Sequence, residues 1–217
     1  MDFTLMTDLP KGFRIRRATP ADHDALMDIC LKTGDSGKDG THLQDDPAIL
    51  GLVYAVPYQV FAPEFAFVLE DAVSVYGYVL GAPDTLAFED WMDRTWYPPL
   101  RATLRDPGPD ASQWRQSDWV RWRVFAPRRQ PSADLALYPA HGHIDLLPHA
   151  TGKGFGRAMM ATLTGALSAA GVPGLFLEVG PENTAAQAFY AHIGFHVLDR
   201  HPNVVTMGRT LGKGVGT

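Results

Sequence analysis

Cysteine is nearly missing from this sequence, where Cys30 stands alone among 217 residues. One thiol cannot close an internal disulfide, which excludes a disulfide-built scaffold and fits a reducing, cytoplasmic compartment. Cys30 falls on the apolar side of a predicted helix and reads as a core thiol rather than a nucleophile. Long hydrophobic runs are missing too, since no stretch approaches the roughly 20 residues that span a bilayer. The opening MDFTLMTDLPKG lacks the charged start and apolar core of a signal peptide. Basic charge is in deficit: 19 Lys and Arg against 24 Asp and Glu leave a net charge of −5. That balance argues against a nucleic-acid binder, and it tolerates a cationic amine without being large enough to select one. Internal repeats and low-complexity segments are absent. A chain that is 46% hydrophobic and 20% charged has the composition of one globular domain, here residues 1–217 with an elaborated insert.

Residues 13–18, FRIRRA, alternate apolar and basic and predict a first strand. Thr19-Pro20-Ala21-Asp22 then has the chemistry of a helix start, and Ala25, Leu26, Ile29 and Cys30 supply an apolar stripe to about Leu31. Residues 33–45 form a polar, Gly-rich loop. Asp46-Pro47 starts a second helix over 48–56, and Pro57 and Pro63 are expected to break the chain. Residues 65–70 and 73–80 predict a hairpin, with Gly77 marking a bulge or a close backbone approach. Residues 84–130 hold all five tryptophans, Trp91, Trp96, Trp114, Trp119 and Trp122. They read as two helices, about 86–95 and 110–125, joined by a Pro-rich bend. The tryptophans there serve helix packing or, alternatively, wall an acceptor pocket. Arg121, Arg123, Arg128 and Arg129 read as a solvated face or an interface.

The chain is organised around residues 141–157, HGHIDLLPHATGKGFGR. Alternation puts His143, Asp145 and Leu147 on one side of a buried strand and Ile144 and Leu146 on the other. Pro148 ends the strand. Gly152, Gly154 and Gly156 allow a tight turn with open backbone N–H groups. Apolar spacing from Ala158 to Ala170 then predicts a helix that starts within the glycine run. A helix start offers unpaired donors and the positive end of a dipole, which suits a phosphate or pyrophosphate. The P-loop pattern fails, because Gly154 follows Lys153 where Ser or Thr is required. Glu178 lies near the distance at which a dinucleotide site places its ribose-binding acid, so spacing alone leaves that reading open, beside a turn with no ligand.

Downstream, residues 175–179 (LFLEV) form another short apolar strand, followed by PENTAAQAFYAHIGFHV. The spacing Asn183, Ala186, Phe189, Tyr190, Gly194, Phe195 resembles the pattern N-x-x-A-x-x-F-Y-x-x-x-G-F of the GCN5-related N-acetyltransferase (GNAT) family. The glycine turn resembles that family's Q/R-x-x-G-x-G/A loop, with Thr151 where Gln or Arg is usual. Within the family, HIDLLP followed by GKGFGR is similar to the acetyltransferase-like domain at the C-terminus of eukaryotic O-GlcNAc hydrolases and its stand-alone bacterial relatives. The resemblance implies an α/β (α+β) GNAT fold. Its sheet would be mixed but mostly antiparallel, splayed between strands 141–147 and 175–179, with helices on both faces and a helical insert at about 84–130.

It further implies an acetyl-coenzyme A cosubstrate in the splayed gap. Backbone groups of Leu146 and Leu147 would pair with the pantetheine amides. Thr151, Gly152, Lys153, Gly154, Phe155, Gly156 and Arg157 would hold the pyrophosphate, and Asn183, Ala186 and Phe189 would complete the coenzyme side. Tyr190 matches the family's general acid for the leaving thiolate, against packing alone. Asp145 is the best candidate base, because an acid in an apolar strand is costly to bury without a purpose, although a salt-bridged structural acid is the alternative. His141 and His143 have no third ligand in view, so no metal is expected. The reading is an N-acetyltransferase acting on a small amine, an amino sugar or a peptide amine by direct attack. A weakly active or inactive acetyl-coenzyme A binding module and, further off, a nucleotide-binding oxidoreductase are the competing classes. Neither nucleic acid nor membrane is expected as a partner, and a homodimer is left open.

Overall fold

The computed structural model describes residues 9–127 and 133–212. The start of the N-terminal segment, Arg128, Arg129 and the tail beyond Gly212 lie outside them. Seven strands form one sheet: β1 (Arg14–Arg17), β2 (Ala66–Glu70), β3 (Val75–Ala82), β4 (Ala140–Leu146), β5 (Gly174–Val179), β6 (His196–His201) and β7 (Val204–Thr210). Their order is β1-β2-β3-β4-β5-β7-β6, and every neighbouring pair is antiparallel except β4 with β5. Period-2 alternation in the sequence gives the sheet two apolar faces. Ala66, Val68, Tyr78 and Leu80 point to one core, and Phe67, Leu69 and Val79 to the other.

The first core is covered by α1 (His23–Lys32), α2 (Ile49–Tyr54), α3 (Val56–Phe61), α4 (Thr85–Trp91) and α6 (Asp118–Phe125). The second is covered by α7 (Phe155–Ala169) and α8 (Thr184–His192). Asp22 caps the entry to α1 as its carboxylate accepts from the Thr19 N–H at 2.7 Å. Arg16 reaches the same carboxylate at 2.7 and 2.8 Å and Glu70 at 2.7 Å, which ties the cap to two strands. Gly77 sits opposite Leu146, and a Cβ there would lie 2.3 Å from the Leu146 Cδ2. The register slips beside it between Leu69 and Glu70, so both the bulge and the close approach are present.

Several expected boundaries shift at the prolines and loops. Pro57 and Pro63 do interrupt the helical run as expected. The chain turns at Ala55, Pro57 occupies the first turn of α3, where its missing N–H costs nothing, and Pro63 opens the turn after that helix. The helix expected over 48–56 ends at Tyr54 instead. Pro98 and Pro99 sit in the first turn of α5 (Tyr97–Arg101), which continues from α4 through a wide turn, Met92–Trp96. The first part of the expected bend is therefore helical, and only residues 102–110, with Pro107 and Pro109, are irregular. Conversely, only Asp118–Phe125 of the helix expected over 110–125 forms, since Gln116 takes a left-handed φ of 34° just before it. The arginines of that helix are not a solvated face. Arg121 is buried and ion-paired to Asp118 at 2.9 Å and Asp45 at 3.0 Å, because α6 is packed against α2 and α5.

Candidate functional site

Strands β4 and β5 pair only at Ala140–Leu175 and His141–Phe176, and beyond that they part. The Leu147 N–H donates to the Tyr76 carbonyl at 2.9 Å, so residues 141, 143, 145 and 147 turn their backbone groups toward β3. Ile144 and Leu146 therefore turn theirs toward the gap. Leu147, expected to pair with a ligand there, has both groups engaged, its carbonyl accepting from the Ala150 N–H. Ile144, and not Leu147, presents its backbone groups to the gap.

The gap opens into a cleft of about 810 Å³. Its floor at one end is the glycine turn. Gly154 is the N-cap of α7 with φ 83°, and Gly152 has φ 72°, conformations that a side chain disfavours. Thr151, Gly152, Gly154, Gly156 and Arg157 line the cleft. Two expected neighbours are placed differently. Lys153 is exposed, off the cleft wall. The Phe155 ring is fully buried in the core, 4.7 Å from Phe13, leaving only its backbone at the turn. The Thr151 hydroxyl donates to the Pro148 carbonyl. Across the cleft, Asn183 caps α8 by accepting from the Ala186 N–H at 3.1 Å while its amide donates to the Ser36 carbonyl at 3.3 Å. Thr33, Ser36 and Gly37 thus bring the 33–45 loop onto the cleft, together with Ala186 and Phe189.

Asp145 and Tyr190 line this one cleft. The Tyr78 hydroxyl donates to Asp145 Oδ2 at 2.5 Å. Burial raises the carboxyl to about 6 against the hydrogen bonds of Tyr78 and Thr33, and among the described residues no arginine pairs with it. Burial and the Asp145 charge raise the Tyr190 hydroxyl, which therefore stays protonated. Cys30 is buried behind them, its thiol pushed up to about 12 by burial, as expected of a core cysteine.

A second, smaller chamber of about 100 Å³ adjoins the cleft, sharing Gly142, His143, Leu177 and Glu178 with it. Its walls come from distant elements: Tyr54 and Tyr58, Thr85 and Phe88 of the insert, and Arg123 of α6. Sequence reasoning did not bring these together, because four are locally ordinary packing residues, Arg123 reads as a solvated or interface arginine, and only the fold gathers them. Insert residues wall the chamber, yet none of the tryptophans does. Trp96 donates to the Leu52 carbonyl at 2.7 Å and stacks on Trp91 at 5.7 Å, both packing roles.

The family model described as Acetyltransferase (GNAT) family matches residues 135–195, which span β4, the glycine turn, β5 and α8. The solved structure of SsHAT is 36% identical, covers 93% of this chain and 99% of its own, and superposes with a TM-score of 0.85. This chain belongs to the GNAT family. Protein O-GlcNAcase of Rattus norvegicus is 27% identical over 211 residues, 95% of this chain. The chain spans about a quarter of the length of such curated relatives, 23% in that case. A putative acetyltransferase of Salmonella typhimurium, solved with its cofactor acetyl-CoA, shares the fold at 15% identity, with a TM-score of 0.54 over 94% of this chain and 97% of its own. The GNAT fold expected from residues 183–195 is thus the observed one, and the parting of β4 from β5 is where the GNAT chain opens its cleft.

Proposed function

We propose that this protein is an acetyl-coenzyme A-dependent N-acetyltransferase, a single domain over residues 1–217, that moves an acetyl group to a primary amine in a ternary complex. The observation that carries this reading is the cleft itself. One continuous space joins the glycine turn, the free backbone edge of Ile144 and Leu146, Asp145 and Tyr190. An extended pantetheine arm fits that edge as an added strand would, and a pyrophosphate fits the open N–H groups at the start of α7.

Asp145 takes the proton that the attacking amine must lose, and Tyr190 gives one to the departing thiolate. The nitrogen–carbon bond forms as the carbon–sulfur bond breaks, with no covalent enzyme intermediate. The chamber behind His143 receives the body of the acceptor. Thiol release from acetyl-coenzyme A, screened against small amines, amino sugars and peptide amines, tests the reading; binding of acetyl-coenzyme A with no turnover of any of them overturns it. A second reading, an acetyl-coenzyme A binding module with little turnover, draws on Thr151, whose hydroxyl is committed to Pro148 and supplies no charge to the turn.

A further inference from the structure

The chamber and the cleft meet at His143, and His143 is the end of a chain of hydrogen bonds whose direction can be worked out. The Thr85 hydroxyl lies 2.7 Å from the Pro139 carbonyl and 2.9 Å from His141 Nδ1. A carbonyl only accepts, so the single hydroxyl proton of Thr85 goes to Pro139. Thr85 Oγ then accepts from His141, whose proton is therefore on Nδ1. Burial and the nearby His143 and Arg123 lower His141 to about 3, so it is neutral and its Nε2 carries a lone pair. The Tyr58 hydroxyl sits 2.8 Å from that Nε2 and 2.9 Å from His143 Nε2. Its one proton is given to His141, so it must accept from His143. His143, lowered to about 4 by burial and Arg123, is also neutral, and its proton is on Nε2.

The chain thus runs from His143 through Tyr58, His141 and Thr85 to the Pro139 carbonyl, and it leaves His143 Nδ1 with a lone pair. Among the described residues, the only closed-off side-chain nitrogen or oxygen without a partner is Arg123 Nε. Nor does any described residue hydrogen-bond His143 Nδ1, and His143 lines both the chamber and the cleft. Tyr54 from α2, Tyr58 from α3, Glu89 from α4, Arg123 from α6 and Glu178 from β5 line the chamber around it, with His141 and Asp145 on its own strand. Of these, Arg123 is the charge that acts on the two imidazoles, and it opposes their protonation.

We propose that the Thr85–His141–Tyr58 chain locks His143 as a hydrogen-bond acceptor, and that His143 Nδ1 and the Asp145 carboxylate together receive the two N–H groups of an unprotonated primary amine. Both side chains leave the same face of β4, two residues and so roughly 6.6 Å of strand apart. An amine held by two acceptors keeps its lone pair for the acyl carbon. A tertiary amine has no N–H to offer, and a secondary amine has one too few. The second half of this proposal rests on the acetyl-transfer reading; the locked tautomer does not. Tyr58, His141 and Thr85 are positioning residues, acting only through His143.

Nitrogen-15 NMR of the histidine rings in the full chain tests it without any turnover. The expected spectrum has His141 protonated on Nδ1 and His143 on Nε2, both uncharged at pH 7. Tyr58→Phe, which keeps the ring and removes the acceptor for His143, should leave His143 in a mixture of tautomers. Thr85→Val, at the far end of the chain, should release His141 in the same way and guards against a folding defect in the first variant. Wild-type His143 protonated on Nδ1, or variants with unchanged tautomers, overturns the lock. Methylamine is the probe for the amine site, with tetramethylammonium as the control that has no N–H. Methylamine should move the bare His143 nitrogen resonance, the control should not, and Tyr58→Phe should weaken the response about fivefold, the worth of one ordinary hydrogen bond. No response to methylamine, or an equal response to both, overturns the amine assignment. Should the tautomers and the methylamine response be as expected while the acceptor screen gives no thiol release, the acetyl-transfer reading fails and the lock stands.

Discussion

Burial pulls the Asp145 carboxyl up to about 6, with the Tyr78 and Thr33 hydroxyls pulling the other way. A general base works in its ionised form, so kcat/KM should rise with pH through about 6 and be lost below it. Asp145→Asn should remove that limb of the pH–rate profile while leaving acetyl-coenzyme A affinity unchanged; a limb that survives the substitution assigns it elsewhere. Tyr190 is held protonated by burial and by the Asp145 charge. Tyr190→Phe should lower kcat by about 10²–10⁴ without weakening acetyl-coenzyme A binding, read by steady-state kinetics and calorimetry together. Unchanged kcat would leave Tyr190 a packing residue against Phe189 and Phe195, its two ring neighbours. Both residues were legible before any fold: one as an acid inside an apolar strand, the other in the Phe-Tyr pair before Gly194. His143, Tyr58 and Thr85 were not legible as a set, because 27 and 58 residues of chain separate them and a hydrogen bond has no sequence spacing.

At the scale of elements, the glycine turn and the start of α7 are the parts whose geometry follows from composition. A Cβ on Gly156 would lie 3.2 Å from the Phe189 Cζ, so the α7 start and α8 nearly touch across the cleft. Gly156→Leu should therefore weaken acetyl-coenzyme A binding at least tenfold, about 1.4 kcal/mol, measured by calorimetry. The other test belongs to the first strand and helix. Arg16 holds both Asp22 and Glu70, and its hydrogen bond lowers the Asp22 carboxyl to about 2 from the ordinary 3.8. The contribution of Asp22 to stability is fully present above 3.8 and is lost as pH falls through about 2. Arg16→Met should cost roughly 2 kcal/mol at neutral pH, the lower side expected because Arg16 is partly exposed, and should flatten the acid limb of stability measured by urea denaturation. The insert was the least legible element. Its prolines look like breaks, yet Pro98 falls in the first turn of a helix, where the geometry accepts it.

For the molecule as a whole, the two cores and the parted sheet predict that the native state is tightened by whatever fills the gap. Acetyl-coenzyme A at 100 times its dissociation constant should add about 2.7 kcal/mol, seen as a concentration-dependent rise in Tm, and NAD(H) should add none. A rise with NAD(H) alone would revive the dinucleotide reading that Glu178 left open. The GNAT family, the strand–turn–helix around residues 141–157 and the two faces of β4 were determined by the sequence alone, because alternation, glycine and helix starts act over a few residues. The tertiary structure decided the rest. It turned Leu147 away from the gap and Ile144 toward it, since ladder register depends on the Tyr76 carbonyl of a neighbouring strand. It drew Arg121 inside, since a helix face is solvated only if nothing packs on it. It also built the chamber, because a cavity is the space left between elements, and which elements enclose it is set by their packing rather than by any one of them.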